Sequence, residues 1–184
     1  DDQAHIIGAL SQRDLLRLRA QSSLLLGDEI DVATSTADLG LSWARLPAMA
    51  QALLREGIGA SDIAGIIARE LGALTRRAAI LAEQAMIEAG KGAAPSNYAV
   101  LVLGSAGRGE SLLAMDQDNA IVFAEGAPDG PEDRWFAELG ARFARMLNEV
   151  GVPLCKGGVM ASEPAFRGSV ATWIDRMEHW LSRS

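Results

Sequence analysis

The stretch from residue 97 to residue 124, NYAVLVLGSAGRGESLLAMDQDNAIVFA, constrains the fold more than any other part of the sequence. It opens with a short apolar run at residues 98–103, whose length and composition are typical of a β-strand. A glycine-rich turn follows, a short helical piece is predicted at residues 110–113, and a second apolar run occupies residues 120–124. This order predicts two strands of one sheet, joined by a glycine turn and an acidic segment.

Two aspartates, Asp116 and Asp118, lie just before the second apolar run. On an extended chain, residues two apart leave the same face, with their Cα atoms roughly 7 Å apart. Paired carboxylates suit Mg²⁺ or Mn²⁺, and Mg²⁺ binds one or two carboxylates together with the phosphates of a substrate. The pair is therefore a candidate metal site, although two aspartates on a surface are more often simply solvated.

The glycine-rich turn carries groups that suit a phosphate. Glycines free backbone N–H groups beside a short helix N-terminus, and such groups bind phosphate oxygens. Ser105 adds a hydroxyl, and Arg108 adds a positively charged fork. The spacing matches neither the Walker loop nor the dinucleotide-binding motif, so by itself this is an ordinary turn. Followed by a carboxylate pair, it indicates metal-assisted attack on a nucleoside triphosphate.

The order of strand, Gly104-Ser105, Asp116-x-Asp118 and strand resembles the signature of the DNA polymerase β-type nucleotidyltransferase superfamily. The strings GSAGRGE and DQDNAIVF are similar to a nucleotidyltransferase domain found behind CBS domains in bacteria. That domain is related to the N-terminal domain of the PII-protein uridylyltransferases. The segment GVPLCKGGVMA at residues 151–161 and the helix at Trp173 also fit this family. The resemblance is strong from residue 96 onward and looser before it.

The resemblance implies that the chain moves a nucleoside monophosphate from a nucleoside triphosphate to an acceptor hydroxyl and releases pyrophosphate. A protein side chain is a candidate acceptor. The residues it implicates are Asp116 and Asp118 as catalytic metal ligands, and Gly104, Ser105, Gly107, Arg108 and Lys156 as contacts to the triphosphate. For Lys156, beside paired glycines, the alternative is a flexible loop with a solvated lysine.

The family pattern is incomplete, because active members of the superfamily usually carry a third carboxylate on a later strand. The strand predicted at residues 152–155 has no acid, and Glu163, Glu125 and Asp175 do not lie in apolar strands. The third role is therefore open. This favours an alternative function, a non-catalytic nucleotide sensor coupled to an upstream CBS module. A purely structural domain with a decayed site is a further alternative.

Composition narrows the class of partners. Lys+Arg number 17 and Asp+Glu 24 among the 184 residues, a net charge of −7. Binding to nucleic acid needs clustered basic residues, so this charge argues against a template-using polymerase or a tRNA-processing enzyme. The single cysteine, Cys155, is expected to be a small buried residue, excludes an internal disulfide and suits the cytoplasm. No apolar run reaches membrane-spanning length.

The predicted fold is mixed α/β, with a helical N-terminal bundle followed by a small nucleotidyltransferase-type mixed sheet and flanking helices. Residues 1–27 resemble the tail of a CBS module with a linker helix, in which Ser11 and Asp14 have the spacing of a ribose-binding pair or of a helix cap. Residues 28–94 are assigned to the bundle and residues 95–184 to the nucleotidyltransferase-like domain. The absence of an initial Met suggests a fragment of a longer protein.

Apolar spacing and breaker residues give the expected helices. The first helix should stop near Gly27, a second segment at residues 37–56 should break at Pro47, and a long helix should run from a Ser61 cap to residue 89. A helix at residues 131–149 should bury one face. The expected core contacts of this helix and of the last one are Trp135, Leu139, Phe143 and Leu147, then Trp173, Met177 and Trp180.

Overall fold

The computed structural model describes residues 21–182, with side chains described from residue 26 onward. The CBS-like segment with Ser11 and Asp14 lies outside these residues. The elements in chain order are α1 (Gln21–Val32), α2 (Thr36–Trp43), α3 (Leu46–Arg55), α4 (Ala60–Glu88), β1 (Tyr98–Val102), α5 (Gly104–Gly107), β2 (Asn119–Phe123), α6 (Pro131–Glu149), a 3₁₀ turn (Pro164–Phe166), β3 (Arg167–Ser169) and α7 (Val170–Leu181). This is the mixed α/β architecture that the sequence predicts.

The first described helix, α1, does not stop at Gly27 but continues to Val32, so the predicted end is wrong. Gly27 faces α4, where a Cβ atom on this glycine would lie 3.5 Å from Oε2 of Glu70. Leu26 and Ile30 are buried on the same side. Because 3.5 Å is an ordinary van der Waals distance, the approach itself does not require glycine here. Burial of α1 against the rest of the bundle outweighs the low helix propensity of glycine.

The break at Pro47 is confirmed, because α2 and α3 are separate helices. Ser35 caps α2 by accepting the Asp38 N–H at 3.1 Å. Pro47 lies in the first turn of α3, where proline costs no helical hydrogen bond. The short helices bury Leu39, Leu46 and Leu53 against the rest of the bundle.

The long helix α4 is the central element of the fold. Its predicted extent is nearly correct, but the cap is Gly59 in extended backbone and not Ser61. At 1.5 Å per residue it spans roughly 40 Å. Its predicted apolar face is buried apart from Leu81, which is half-buried, and comprises Ile63, Ile66, Ile67, Leu71, Leu74, Ala78 and Met86. The helix packs against α1, α3, α6 and β1, so it joins the bundle to the sheet.

The sheet has the strand order β1-β2-β3. β1 and β2 are antiparallel, with Tyr98 opposite Phe123 and Val102 opposite Asn119. β3 runs parallel to β2 and places Arg167 opposite Ile121. The strand predicted at residues 152–155 is wrong: this segment lies outside the sheet, and the third strand follows it in the chain.

Packing of α6 on the sheet forms the second half of the core. Leu139, Phe143 and Leu147 are buried as predicted, whereas Trp135 is only half-buried. Phe136 takes the expected place of Trp135 in the core and stacks on Phe123 with 4.6 Å between ring centroids.

The last helix, α7, differs from its prediction. Trp173 is half-buried and donates its ring N–H to the Ile121 carbonyl at 3.1 Å. Met177 and Trp180 are about half exposed, so their assignment to the core is wrong. The principal contacts of α7 are with β2 and β3, and it buries no residue completely. Cys155 is only half-buried, whereas the sequence predicts a buried residue. None of the described helices has the length and apolarity needed to cross a membrane.

Candidate nucleotide site

The segment that leads into β2 alternates carboxylates with carboxamides. Asp116 is exposed and Asp118 is half-buried, whereas Gln117 and Asn119 are each only 2% exposed. Because side chains alternate between the two sides of an extended chain, the aspartates lie on the side opposite to the buried amides. The two predicted metal ligands therefore share the accessible side of this segment.

The glycine turn lies directly against the second aspartate. Gly104 has φ +57°, and a Cβ atom added to it would lie 2.0 Å from Oδ2 of Asp118. The Leu103 N–H donates to the Asp118 carbonyl at 2.8 Å, which extends the β1–β2 pairing to the start of the turn. Only glycine can occupy position 104 in this conformation. The structure thus brings the predicted glycine turn and carboxylate together.

The helical piece of this region is the glycine turn itself, α5, and not residues 110–113, which have no helical structure. Gly107 is as constrained as Gly104, since a Cβ atom there would lie 2.5 Å from the Val102 carbonyl oxygen. The first N–H groups of any helical turn lack acceptors within the helix, and in α5 these include the N–H groups of Ser105 and Ala106. The Ser105 side chain is exposed beside them. The turn therefore offers donors to an anion.

Arg108 follows the turn, and its side chain is 64% exposed. Its Nε donates to Oε2 of Glu110 at 3.0 Å, and Glu110 is equally exposed. A solvated ion pair of this kind contributes little to stability and exchanges readily for another anion. The guanidinium is thus available to a phosphate at the turn.

The loop that carries Lys156 is attached to both neighbours of the second aspartate. The Gln117 N–H donates to the Pro153 carbonyl at 2.9 Å, and the Asn119 N–H donates to the Val159 carbonyl at 3.0 Å. Lys156 is exposed between these two anchors. The structure therefore places the lysine loop beside the carboxylates, although Asn119 and Lys156 are 37 positions apart in the chain.

The structure does not complete a set of three acids. Glu163 is exposed at the end of the lysine loop, where its Cγ would lie 3.8 Å from a Cβ atom on Gly158. Among residues 21–182 no group of three or more His, Cys, Asp or Glu side chains is placed to hold a metal ion. The donor set at Asp116 and Asp118 fits Mg²⁺ that takes its remaining ligands from phosphates and water.

A groove lies beside the candidate site and not at the carboxylates. It has a volume of about 420 Å³ between α4 and β1, and its lining residues include Arg76, Tyr98 and Val102. The Tyr98 hydroxyl donates to Glu83 at 2.7 Å, and burial, with the neighbouring Glu83, raises the pKa of this tyrosine. Arg76 is paired with Asp31. The groove ends two residues before the glycine turn.

Sequence reasoning missed the buried polar residues that support the site. Gln117 and Asn119 had a detectable signal, since a carboxamide after each aspartate of an alternating segment must point inward. Arg167 and Asp133 form a buried ion pair at 2.8 Å, between β3 and α6. For that pair the sequence carries no local signal, because 34 residues separate its members.

Comparison with known families gives a match to this chain. The family model described as "Putative nucleotidyltransferase DUF294" matches residues 44–184, which include α4, the glycine turn, both aspartates and the lysine loop. Neither the curated proteins nor the solved structures include a match to this chain.

Proposed function

The chain belongs to the family described as "Putative nucleotidyltransferase DUF294", and on that premise we propose that it is a Mg²⁺-dependent nucleotidyltransferase. It moves a nucleoside monophosphate from a nucleoside triphosphate to an acceptor hydroxyl and releases pyrophosphate. The observation that carries this proposal is the contact between Gly104 and the Asp118 carboxylate, 2.0 Å from the Cβ position of the glycine. This contact joins a phosphate-binding turn to a metal-binding carboxylate.

In this proposal Asp116 and Asp118 would hold Mg²⁺ (or Mn²⁺), and the triphosphate would supply further oxygen ligands. The ion, when bound, neutralises phosphate charge and holds the triphosphate in place. Gly104, Ser105 and Gly107 shape the turn whose N–H groups donate to the phosphate oxygens. The side chains that add positive charge are those of Arg108 and Lys156.

The transfer step forms a bond between the acceptor oxygen and the α-phosphorus. The bond from the α-phosphorus to the bridging oxygen breaks, pyrophosphate leaves, and the hydroxyl proton passes to solvent or to a nearby base. By its resemblance to the PII-protein uridylyltransferases, we propose a protein side chain as the acceptor and a regulatory role in the cytoplasm. We propose an upstream CBS module as a partner. The net charge of −7 does not favour nucleic acid as a partner.

Calorimetric titration of ATP, UTP, GTP and CTP, with and without Mg²⁺, tests the proposal. We expect Mg²⁺-dependent binding by the wild type and a loss of about tenfold or more in affinity for Asp118→Asn, because the substitution removes a charged ligand. The matched control is Asp129→Asn, an exposed position with φ +59°, which asparagine tolerates equally well. It lies beyond the opposite end of β2. Unchanged Mg²⁺-dependent binding in Asp118→Asn would overturn the assignment.

A second candidate function is a nucleotide sensor without turnover. It is favoured by the finding that the described residues supply no third acid to the carboxylate pair. Release of pyrophosphate in the presence of candidate acceptor proteins separates the two functions. A transferase releases pyrophosphate in an amount that depends on the acceptor, whereas a sensor binds nucleotide and releases none.

A further inference from the structure

The two carboxamides next to Asp118 hold other parts of the chain through side-chain and backbone hydrogen bonds. Gln117 donates its side-chain Nε2 to the carbonyls of Val152 and Ala144, both at 2.9 Å. Its backbone N–H holds the Pro153 carbonyl. This single residue therefore fixes the start of the lysine loop and attaches it to α6.

Asn119 performs the same task at the other end of the loop. Its side-chain Oδ1 accepts the Ala161 N–H at 2.9 Å, and its backbone N–H donates to the Val159 carbonyl at 3.0 Å. Both interactions are buried, since Asn119 is 2% exposed. Loss of the Oδ1 atom would leave a buried N–H group without its acceptor, which is costly.

A second layer supports the end of the loop from behind. Arg167 donates through Nη1 to the carbonyls of Ala161 and Ser162, at 3.1 and 2.7 Å. Gly140 on α6 allows this turn to approach, because a Cβ atom there would lie 2.8 Å from the Ala161 carbonyl. The end of the loop is therefore held on both sides.

The tip of the loop contrasts with its anchors. Leu154 is 47% exposed, and Lys156 and Gly157 are exposed. Gly158 has φ +70°, and its N–H donates within the loop to the Cys155 carbonyl at 3.1 Å. The position of the tip is thus determined by the two anchors, Gln117 and Asn119, which are the residues before and after Asp118.

We propose that Gln117 and Asn119 are positioning residues that hold the loop so that Lys156 contacts the phosphates of a nucleotide bound at Asp118. This inference rests on the proposed function. The pattern Asp-Gln-Asp-Asn then has two uses on its two sides, with carboxylates directed to the nucleotide and carboxamides directed to the loop that covers it.

A double-mutant cycle on triphosphate binding tests the proposal. The probe is the Mg²⁺ complex of whichever of ATP, UTP, GTP and CTP binds the wild type best. We expect Asn119→Ala and Lys156→Ala each to weaken binding by about tenfold, and the double variant to be no weaker than either. Asn119 acts through Lys156, so removing both loses one interaction. Additive losses, or full binding by Asn119→Ala, would overturn the proposal.

Two further variants separate positioning from general damage to the fold. Asn119→Asp keeps the acceptor oxygen for the Ala161 N–H and should restore most of the affinity, whereas Asn148→Ala changes an exposed asparagine of α6 and should bind like the wild type. If Asn119→Ala does not fold, Gln117→Met frees the other end of the loop at nearly the same side-chain volume. It should show the same non-additivity with Lys156→Ala, and additivity there would overturn the proposal.

The outcome for Asp118→Asn distinguishes the two levels of inference. Suppose that the wild type binds, that Asp118→Asn does not, and that the losses in the cycle are additive. This result overturns the role of the carboxamides and leaves the proposed function standing. A wild type that binds none of the four triphosphates overturns both. In the supporting outcome, hydrogen exchange at the Ala161 amide is also faster in Asn119→Ala than in the wild type, because the amide has lost its acceptor.

Discussion

At the scale of single residues, the candidate site depends on a glycine, because the Asp118 carboxylate occupies the space that a Cβ atom would need. Gly104 combines a positive φ of +57° with the closest approach in the glycine turn, 2.0 Å from its Cβ position to Oδ2 of Asp118. Gly109 also has a positive φ, +75°, but among the described residues nothing lies within 4 Å of its Cβ position. These two glycines therefore separate backbone strain from steric contact with the carboxylate.

We predict that Gly104→Ala abolishes Mg²⁺-dependent triphosphate binding, whereas Gly109→Ala retains it. Both substitutions place alanine at a positive φ, which should lower the free energy of unfolding by about 1 kcal/mol, and Gly104→Ala adds the cost of the steric overlap with Asp118. Only the first displaces the Asp118 carboxylate. Urea denaturation and calorimetric titration of the two variants check this, and equal loss of binding in both would contradict the steric explanation.

At the scale of secondary-structure elements, β3 is held in place by a charge and not by apolar side chains. Arg167 pairs with Asp133 of α6 at 2.8 Å, and the two side chains are 5% and 8% exposed. Removing one member of a buried pair leaves the other charge desolvated and uncompensated, which strongly lowers the free energy of unfolding. The contact between β3 and α6 therefore depends on both residues.

We predict that Asp133→Asn lowers the free energy of unfolding by about 3–5 kcal/mol, the usual cost of breaking a buried pair. The control is Glu29→Gln, which removes the partner of Arg45 in an exposed pair and should cost less than about 1 kcal/mol. Urea denaturation of the three proteins gives the comparison. Similar losses for the two variants would show that the buried pair has no special role.

The difference between elements with an apolar pattern and elements held by distant partners explains which of them the sequence could predict. The strands β1 and β2 are continuous apolar runs, and the helices α4 and α6 carry long amphipathic patterns. The sequence predicts the bounds of all four within one or two residues. β3 has three residues, Arg-Gly-Ser, and owes its burial to a partner distant in the chain. The pattern of α7 is amphipathic, but the apolar side of that helix is largely exposed. Pattern alone cannot show which apolar face finds a partner.

In the candidate site, too, the sequence predicts local contacts and not distant ones. The proximity of Gly104 and Asp118 could be expected from a local order of strand, turn and acidic segment. The attachment of the lysine loop to Gln117 and Asn119 could not, because it depends on how residues 153–161 return to the sheet. Neighbouring residues determine the local geometry of the turn and the carboxylate. The residues that hold the lysine loop in place are distant from it in sequence, so no local pattern predicts them.

At the scale of the whole molecule, α4 connects the helical bundle to the candidate site. Near its start, a Cβ atom on Gly65 would lie 3.8 Å from the Gly109 carbonyl oxygen, so the helix contacts the segment after the glycine turn. Little more than one turn later, Glu70 faces Gly27 of α1. Glu70 is 6% exposed, and its Oε2 has no hydrogen-bond partner among the described residues. The attachment of α1 therefore includes a buried acid close to the helical turns that support the site.

This acid should make the stability of the whole fold depend on pH. Burial raises the pKa of Glu70 to about 7, opposed by Arg69 and reinforced by the charges of Asp31 and Asp28. Because the folded pKa lies above the unfolded one, the unfolded state loses its proton first as pH rises. Below about pH 4.5 both states are protonated, and this residue does not destabilise the fold. Its contribution then falls as pH rises toward 7, above which both states are ionised and the loss is constant.

We predict that Glu70→Gln is more stable than the wild type at pH 8, by at most about 3 kcal/mol, since an uncharged amide avoids the burial of a charge. The difference between the two proteins should shrink as pH falls from 7 to 4.5, where the wild-type residue is itself neutral. Glu88→Gln, an exposed position on the same helix, serves as the control and should follow the wild type at every pH. Urea denaturation at intervals of pH measures all three proteins. If the difference between Glu70→Gln and the wild type stayed constant from pH 4.5 to 8, its origin would be packing and not ionisation, and α1 would be attached without a proton-linked contact.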